Sequence, residues 1–131
     1  MKTLNNNSGF TLIELILVIA ILGILAVAVA PQFVNIQANA QEAQAQGTAG
    51  AVRDGINMQF AEALASTGTG AFPATLDNNA GACSTADPCF EEVLQNGVTA
   101  GWTKAGLVYT HTASGLVCTY DGGVNGTFTC L

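Results

Sequence analysis

The feature that most constrains this chain is an apolar block of 21 residues, 10 through 30, in which Glu14 is the only charged side chain. At about 1.5 Å per helical residue the block spans roughly 31 Å, which matches the hydrocarbon thickness of a bilayer. An ordinary secretory signal has a shorter apolar region followed by a small-residue cleavage site. Here the small residue, Gly9, precedes the block, behind a polar stretch that ends Asn5-Asn6-Asn7-Ser8. A cut after Gly9 removes residues 1–9 as a leader and leaves the hydrophobic helix on the mature chain. Half of all residues are hydrophobic and only 9% are charged. That apolar content is densest in the block, where 18 of 21 residues are hydrophobic, so the rest reads as one small, more polar domain with a modest core.

Glu14 is the anomaly, because a carboxylate inside an apolar helix is costly in lipid and calls for a partner. Snorkelling toward the membrane interface is one reading. Pairing in a packed assembly is the other, yet no Lys or Arg lies between Phe10 and Arg53. The cation that cleavage creates is the α-ammonium of Phe10. Pairing within one chain is awkward, since Glu14 sits a full turn away. A neighbouring chain's Phe10 fits better, and such a pair would set axial register between subunits.

The run Gly9-Phe10-Thr11-Leu12-Ile13-Glu14-Leu15 resembles the class III signal that opens type IV pilins and type II secretion pseudopilins. The likeness continues through Gly23 and Pro31, and residues 30–37 look most like mannose-sensitive haemagglutinin-type pilins. The resemblance covers about the first third of the chain. It implies a structural subunit, not an enzyme, held in the bacterial inner membrane and then polymerised into an extracellular pilus at the cell surface. Adhesion, motility or DNA uptake are the tasks it implies. It further implies cleavage by a prepilin peptidase between Gly9 and Phe10, N-methylation of Phe10, and assembly through Glu14 and Thr11. The expected partners are further copies of the chain, the inner membrane, the peptidase and the pilus assembly machinery, with no cofactor and no metal. Two alternatives stand beside it: a pseudopilin, and a membrane-anchored binding module that never polymerises. Major pseudopilins typically carry a calcium-binding C-terminal loop, for which this tail is a poor candidate.

The expected fold class is α+β, a long N-terminal helix with a small C-terminal antiparallel sheet packed on its distal half. The chain divides into a leader (1–9), a transmembrane and polymerisation helix (10–31), a helical continuation (32–66) and a globular head (67–131). Pro31 lacks a backbone N–H and its ring crowds the Val27 carbonyl, so a kink or local unwinding is expected there, helped by Gly23. In similar pilins such a break lets the helix extend on packing into the filament. Ile36, Ala40, Ala43, Gly47 and Ala51, then Val52, Ile56, Phe60 and Leu64, recur at helical spacing; the first half presents a narrow face of small residues that permits close helix packing, and the bulkier second half is expected to pack under the C-terminal domain. Residues 10–66 as one helix would reach about 85 Å and would need partners along that length. Ser66 through Gly70 ends it, with Pro73 shortly after.

Within the head, Asp87, Pro88, Glu91 and Glu92 followed by Gly97 predict a short capped helix. Trp102 and residues 107–112, 116–120 and 128–131 read as strands, separated by Gly-rich turns at 112–115 and 121–126. Cys83, Cys89, Cys118 and Cys130 are an even set behind a membrane-directing segment, which reads as disulfides in an oxidising compartment. Zinc is a weaker reading, because neither pair is a C-x2-C knuckle. The turn at 121–126 puts Cys118 and Cys130 on adjacent strands, leaving Cys83 for Cys89; the two other connectivities stay open.

Little points to catalysis. His111, the one histidine, has no nucleophile partner in sequence and reads as structural. Glu91 and Glu92 are adjacent on a predicted helix and point apart. Asp121 and Asn125 offer two oxygen ligands where calcium prefers six to eight. Asn125-Gly126-Thr127 fits an N-glycosylation acceptor, and Trp102, Tyr109 and Tyr120 read as core. The net charge is −6 and the basic residues are Lys2, Arg53 and Lys104, so no nucleic-acid stripe exists.

Overall fold

A computed structural model describes residues 9–78 and 81–131. The leader, apart from Gly9, lies outside them. One helix, α1 (Leu12–Thr67), is followed by four strands, β1 (Trp102–Ala105), β2 (Val108–His111), β3 (Val117–Tyr120) and β4 (Phe128–Cys130). They form one antiparallel sheet in the order β1-β2-β3-β4. The chain falls into two compact units, residues up to Gln37 and residues from Ala38 onward.

In the first unit the helix continues without interruption through Gly23 and Pro31. The local unwinding expected at Pro31 is therefore absent from the single chain. Proline removes one hydrogen bond while its neighbours keep theirs, and an otherwise strong apolar run tolerates that loss. Every residue from 9 to 44 is exposed, so this apolar surface has no cover among the described residues.

In the second unit α1 buries Ala45, Ala49, Val52, Gly55 and Ile56. Of the bulkier half expected under the head, Val52 and Ile56 are buried and Phe60 is half-buried, while Leu64 is exposed; the small-residue face of Ala40, Ala43, Gly47 and Ala51 is exposed in the single chain. The Ala/Gln-rich stretch contains small residues in every phase, so its periodicity could not fix a direction. Ala45 and Ala49 are the small side chains over which the head closes. The core opposite them holds Leu76, Phe90, Trp102, Tyr109, Tyr120 and Phe128. Phe90 is its hub, with ring centroids 5.5 Å from Trp102, 4.4 Å from Tyr109 and 5.8 Å from Phe128.

The short helix expected at 87–97 does not form. Phe90 adopts φ 62°, a left-handed conformation that a bulky residue rarely takes, and this breaks the helical path at its start. Its N–H donates to the Asp77 carboxylate at 3.0 Å, so the strain is held by a buried acceptor. A single turn remains, closed by the Leu94 N–H on the Phe90 carbonyl at 2.8 Å. Asp77 is itself paired with Lys104, whose side chain is 8% exposed against 0% for the aspartate.

β1 and β2 are joined by the two-residue turn Gly106-Leu107, with φ 65° at Gly106. Glycine at the first central position suits a turn of type II′. β3 and β4 bring Cys118 opposite Cys130, and these two are bonded, as are Cys83 and Cys89. Side chains on the inner face of the sheet alternate with an outer face of Thr103, Val108, Thr110, Val117, Thr119 and Thr129, none of them buried.

Candidate processing and assembly site

The start of α1 is built by two residues that cap each other. The Thr11 N–H and the Thr11 hydroxyl each donate to Glu14 Oε2 at 2.8 Å, and the Glu14 N–H donates back to Thr11 Oγ1 at 3.3 Å. This is a reciprocal capping box, with Thr11 as the cap and Glu14 three residues in. It satisfies amides that a helix end otherwise leaves without partners, and it puts a carboxylate where the helix dipole favours one. The motif Thr11-Leu12-Ile13-Glu14 was available in the sequence as a capping signature, an interaction that a search for an ionic partner of Glu14 overlooks.

The cap engages Oε2 alone, which leaves Oε1 outside it. Phe10 lies immediately before the cap and is 92% exposed. A Cβ placed on Gly9 would meet nothing within 4 Å, and both Gly9 and Phe10 are exposed. Phe10, Glu14, Leu15 and Val18 outline an apolar hollow of about 250 Å³. The structure thus brings together Phe10, Thr11 and Glu14. Gly23 and Pro31 lie further along the same helix and take no part in this hollow.

The remaining candidates resolve into structural roles. His111 is buried against the Trp102 ring at 5.2 Å, and its Nδ1 accepts the Ser114 N–H at 3.2 Å. Asp121 staples its own turn: Oδ2 accepts the Asn125 N–H at 2.9 Å and the Thr127 hydroxyl at 3.0 Å. Burial pushes the Asp121 carboxyl up, but the donors on Thr127, Asn125 and Gly126 outweigh it and hold the group below the usual carboxylate value. That oxygen is therefore committed to its turn. Among the described residues no group of three or more His, Cys, Asp or Glu side chains is arranged to hold a metal ion.

An exposed apolar helix thus opens at a capped Gly–Phe step. Residues 4–30 match the family described as the prokaryotic N-terminal methylation motif, the motif of prepilins. The type IV major pilin protein PilA of Myxococcus xanthus is 50% identical over 40 residues, 30% of this chain and 18% of that relative. The type IV narrow pilus major component PilA5 of Thermus thermophilus is 51% identical over 45 residues, 34% of this chain and 39% of that relative. The likeness thus spans less than two fifths of either relative. No solved structure matches the chain. A long helix carrying a small disulfide-stapled antiparallel sheet is consistent with the pilin fold implied above.

Proposed function

We propose that this chain is a pilin, the structural subunit of a type IV pilus-like filament. It is stored in the inner membrane through α1, cut after Gly9, methylated on Phe10 and polymerised through the exposed helix. The observation that carries this reading is the methylation motif opening a helix whose apolar surface finds no cover among the described residues. In lipid, hydrocarbon tails cover that surface; in a filament, the helices of other copies do.

The capping geometry gives assembly a specific chemistry. Cutting after Gly9 converts the Phe10 amide into an ammonium, and methylation leaves that charge in place. Glu14 Oε2 is occupied by Thr11, so the free oxygen receives the incoming cation. Inside an apolar filament core this pair is desolvated, and its gain depends on close geometry. A subunit placed out of register leaves both charges buried and unpaired. Register is thus enforced chiefly by the cost of errors.

Glu14→Ala tests the reading. The expected result is a processed subunit that remains in the membrane pool while sheared filaments fall by at least about tenfold, the effect of roughly 1.4 kcal/mol per assembly step. Normal filaments from that variant would remove the assembly role of Glu14.

A further inference from the structure

The second unit carries one cation with unspent donors. Among the described residues the basic side chains are Arg53 and Lys104, and Lys104 is buried on Asp77. Arg53 is exposed, and its Nε donates to the Phe128 carbonyl at 2.8 Å. No carboxylate lies within ion-pair distance of it among the described residues. A guanidinium has five N–H donors, so four remain, fixed in direction because Nε is already anchored.

Those donors border a hollow of about 340 Å³, lined by Gln46, Ala49, Arg53, Leu116 and Cys130. It lies along β4, and the bonding pattern of the sheet shows what β4 presents there. Val117 and Leu131 exchange hydrogen bonds at 3.1 and 2.9 Å, so the next pair, Cys118 and Cys130, is not hydrogen-bonded. The backbone N–H and C=O of Cys130 therefore point away from β3, to the sheet's outer edge. The opposite edge is covered: Trp102 and Lys104 of β1 bond to Cys83 and Gly81 at 2.9 and 2.7 Å. One edge is closed by the chain itself; on the other, Arg53 takes the outward Phe128 carbonyl and keeps further donors free beside the outward groups of Cys130. Exposed acids, in contrast, are plentiful: Glu42, Asp54 and Glu62 on α1, and Glu91 and Glu92 in the head.

We propose that this hollow receives a carboxylate from a second copy of the chain, held by the Arg53 guanidinium, so that Arg53 is the ionic anchor between neighbouring heads. The argument is one of charge complementarity. A head with a surplus of exposed acids repels its copies, and the free cation is where that repulsion is locally reversed. Anchoring Nε on Phe128 fixes the fork and reduces the entropy lost on pairing. This inference rests on the filament reading; Glu42, Asp54 and Glu62 are the candidate partners, since identical helices packed side by side present them to each other.

The test uses filaments of the full chain. Arg53→Glu is expected to lower sheared filament yield at least about tenfold, and one of Glu42→Arg, Asp54→Arg or Glu62→Arg added to it is expected to restore assembly. A second measurement does not depend on tolerance of the reversed charge. Filaments of Arg53→Lys, built from mixed light and heavy isotope-labelled chains, are treated with a carbodiimide and digested. The expected product is an amide joining position 53 of one isotope to an acid of the other. Wild-type-like yield from Arg53→Glu, or position 53 joined to no acid of another chain, overturns the inference. If those results come with filaments that begin at methylated Phe10, the filament reading survives and only the Arg53 anchor is lost.

Discussion

Thr11 and Glu14 act as a unit, and each has two uses. In the single chain they cap α1; in the proposed filament the same carboxylate meets a neighbour's ammonium. Thr11→Val keeps the shape but removes the hydroxyl, and loss of such a cap costs about 1 kcal/mol. The expected outcome is a frayed first turn, seen as faster amide exchange at residues 12–14, with assembly weakened less than by Glu14→Ala. The Lys104–Asp77 pair belongs to the head. Lys104→Met leaves Asp77 buried without its counter-ion, and breaking a buried pair costs about 3–5 kcal/mol. Urea unfolding of the full chain in detergent should show that loss. Asp121 adds a pH dependence. Its folded-state pKa lies below the ordinary carboxylate value, so its contribution is complete above that value and is lost as pH falls through the folded-state pKa. The melting temperature of the wild type should fall toward that of Asp121→Asn as the solution is acidified. The capping box was legible in four consecutive residues. The Lys104–Asp77 pair was not, because its members are separated by a loop whose path sequence does not fix.

At the scale of elements, what was legible depended on how bulky the residues were. The strands and the Cys118–Cys130 pairing followed from β-branched runs on either side of one Gly-rich turn. The buried face of α1 did not, since alanines in every phase carry no direction; Val52 and Ile56 were the informative positions. The turn at 90–97 was misread as a helix because its caps looked right, and the left-handed Phe90 is a tertiary effect of Asp77 and the aromatic core. Gly55 is a place where α1 and the head approach without room for a side chain. A Cβ there would overlap the Val93 carbonyl oxygen. Gly55→Ala is thus expected to destabilise the head by about 1–3 kcal/mol, despite improving helix propensity. Calorimetry decides it, and a gain in stability would contradict the packing described. Replacing both Cys118 and Cys130 with serine should cost about 2–5 kcal/mol in the same measurement.

For the whole molecule, the division of labour follows from where apolar surface is covered. From Ala45 onward, α1 buries a narrow face under the disulfide-stapled sheet; before that, its surface is bare. The first part needs lipid or other copies, and the second supplies an acidic, soluble exterior. Composition alone pointed to this contrast, and the match to the methylation motif, residues 4–30, ends before the buried face begins. In the proposed function, removal of residues 1–9 joins the two roles, because it would create the cation that Glu14 is proposed to receive. Intact mass spectrometry of the sheared surface fraction, from cells making the chain at native level, tests this most directly. The account predicts an abundant species that begins at methylated Phe10 and carries two disulfides. A chain found only in the membrane with residues 1–9 still attached would contradict it.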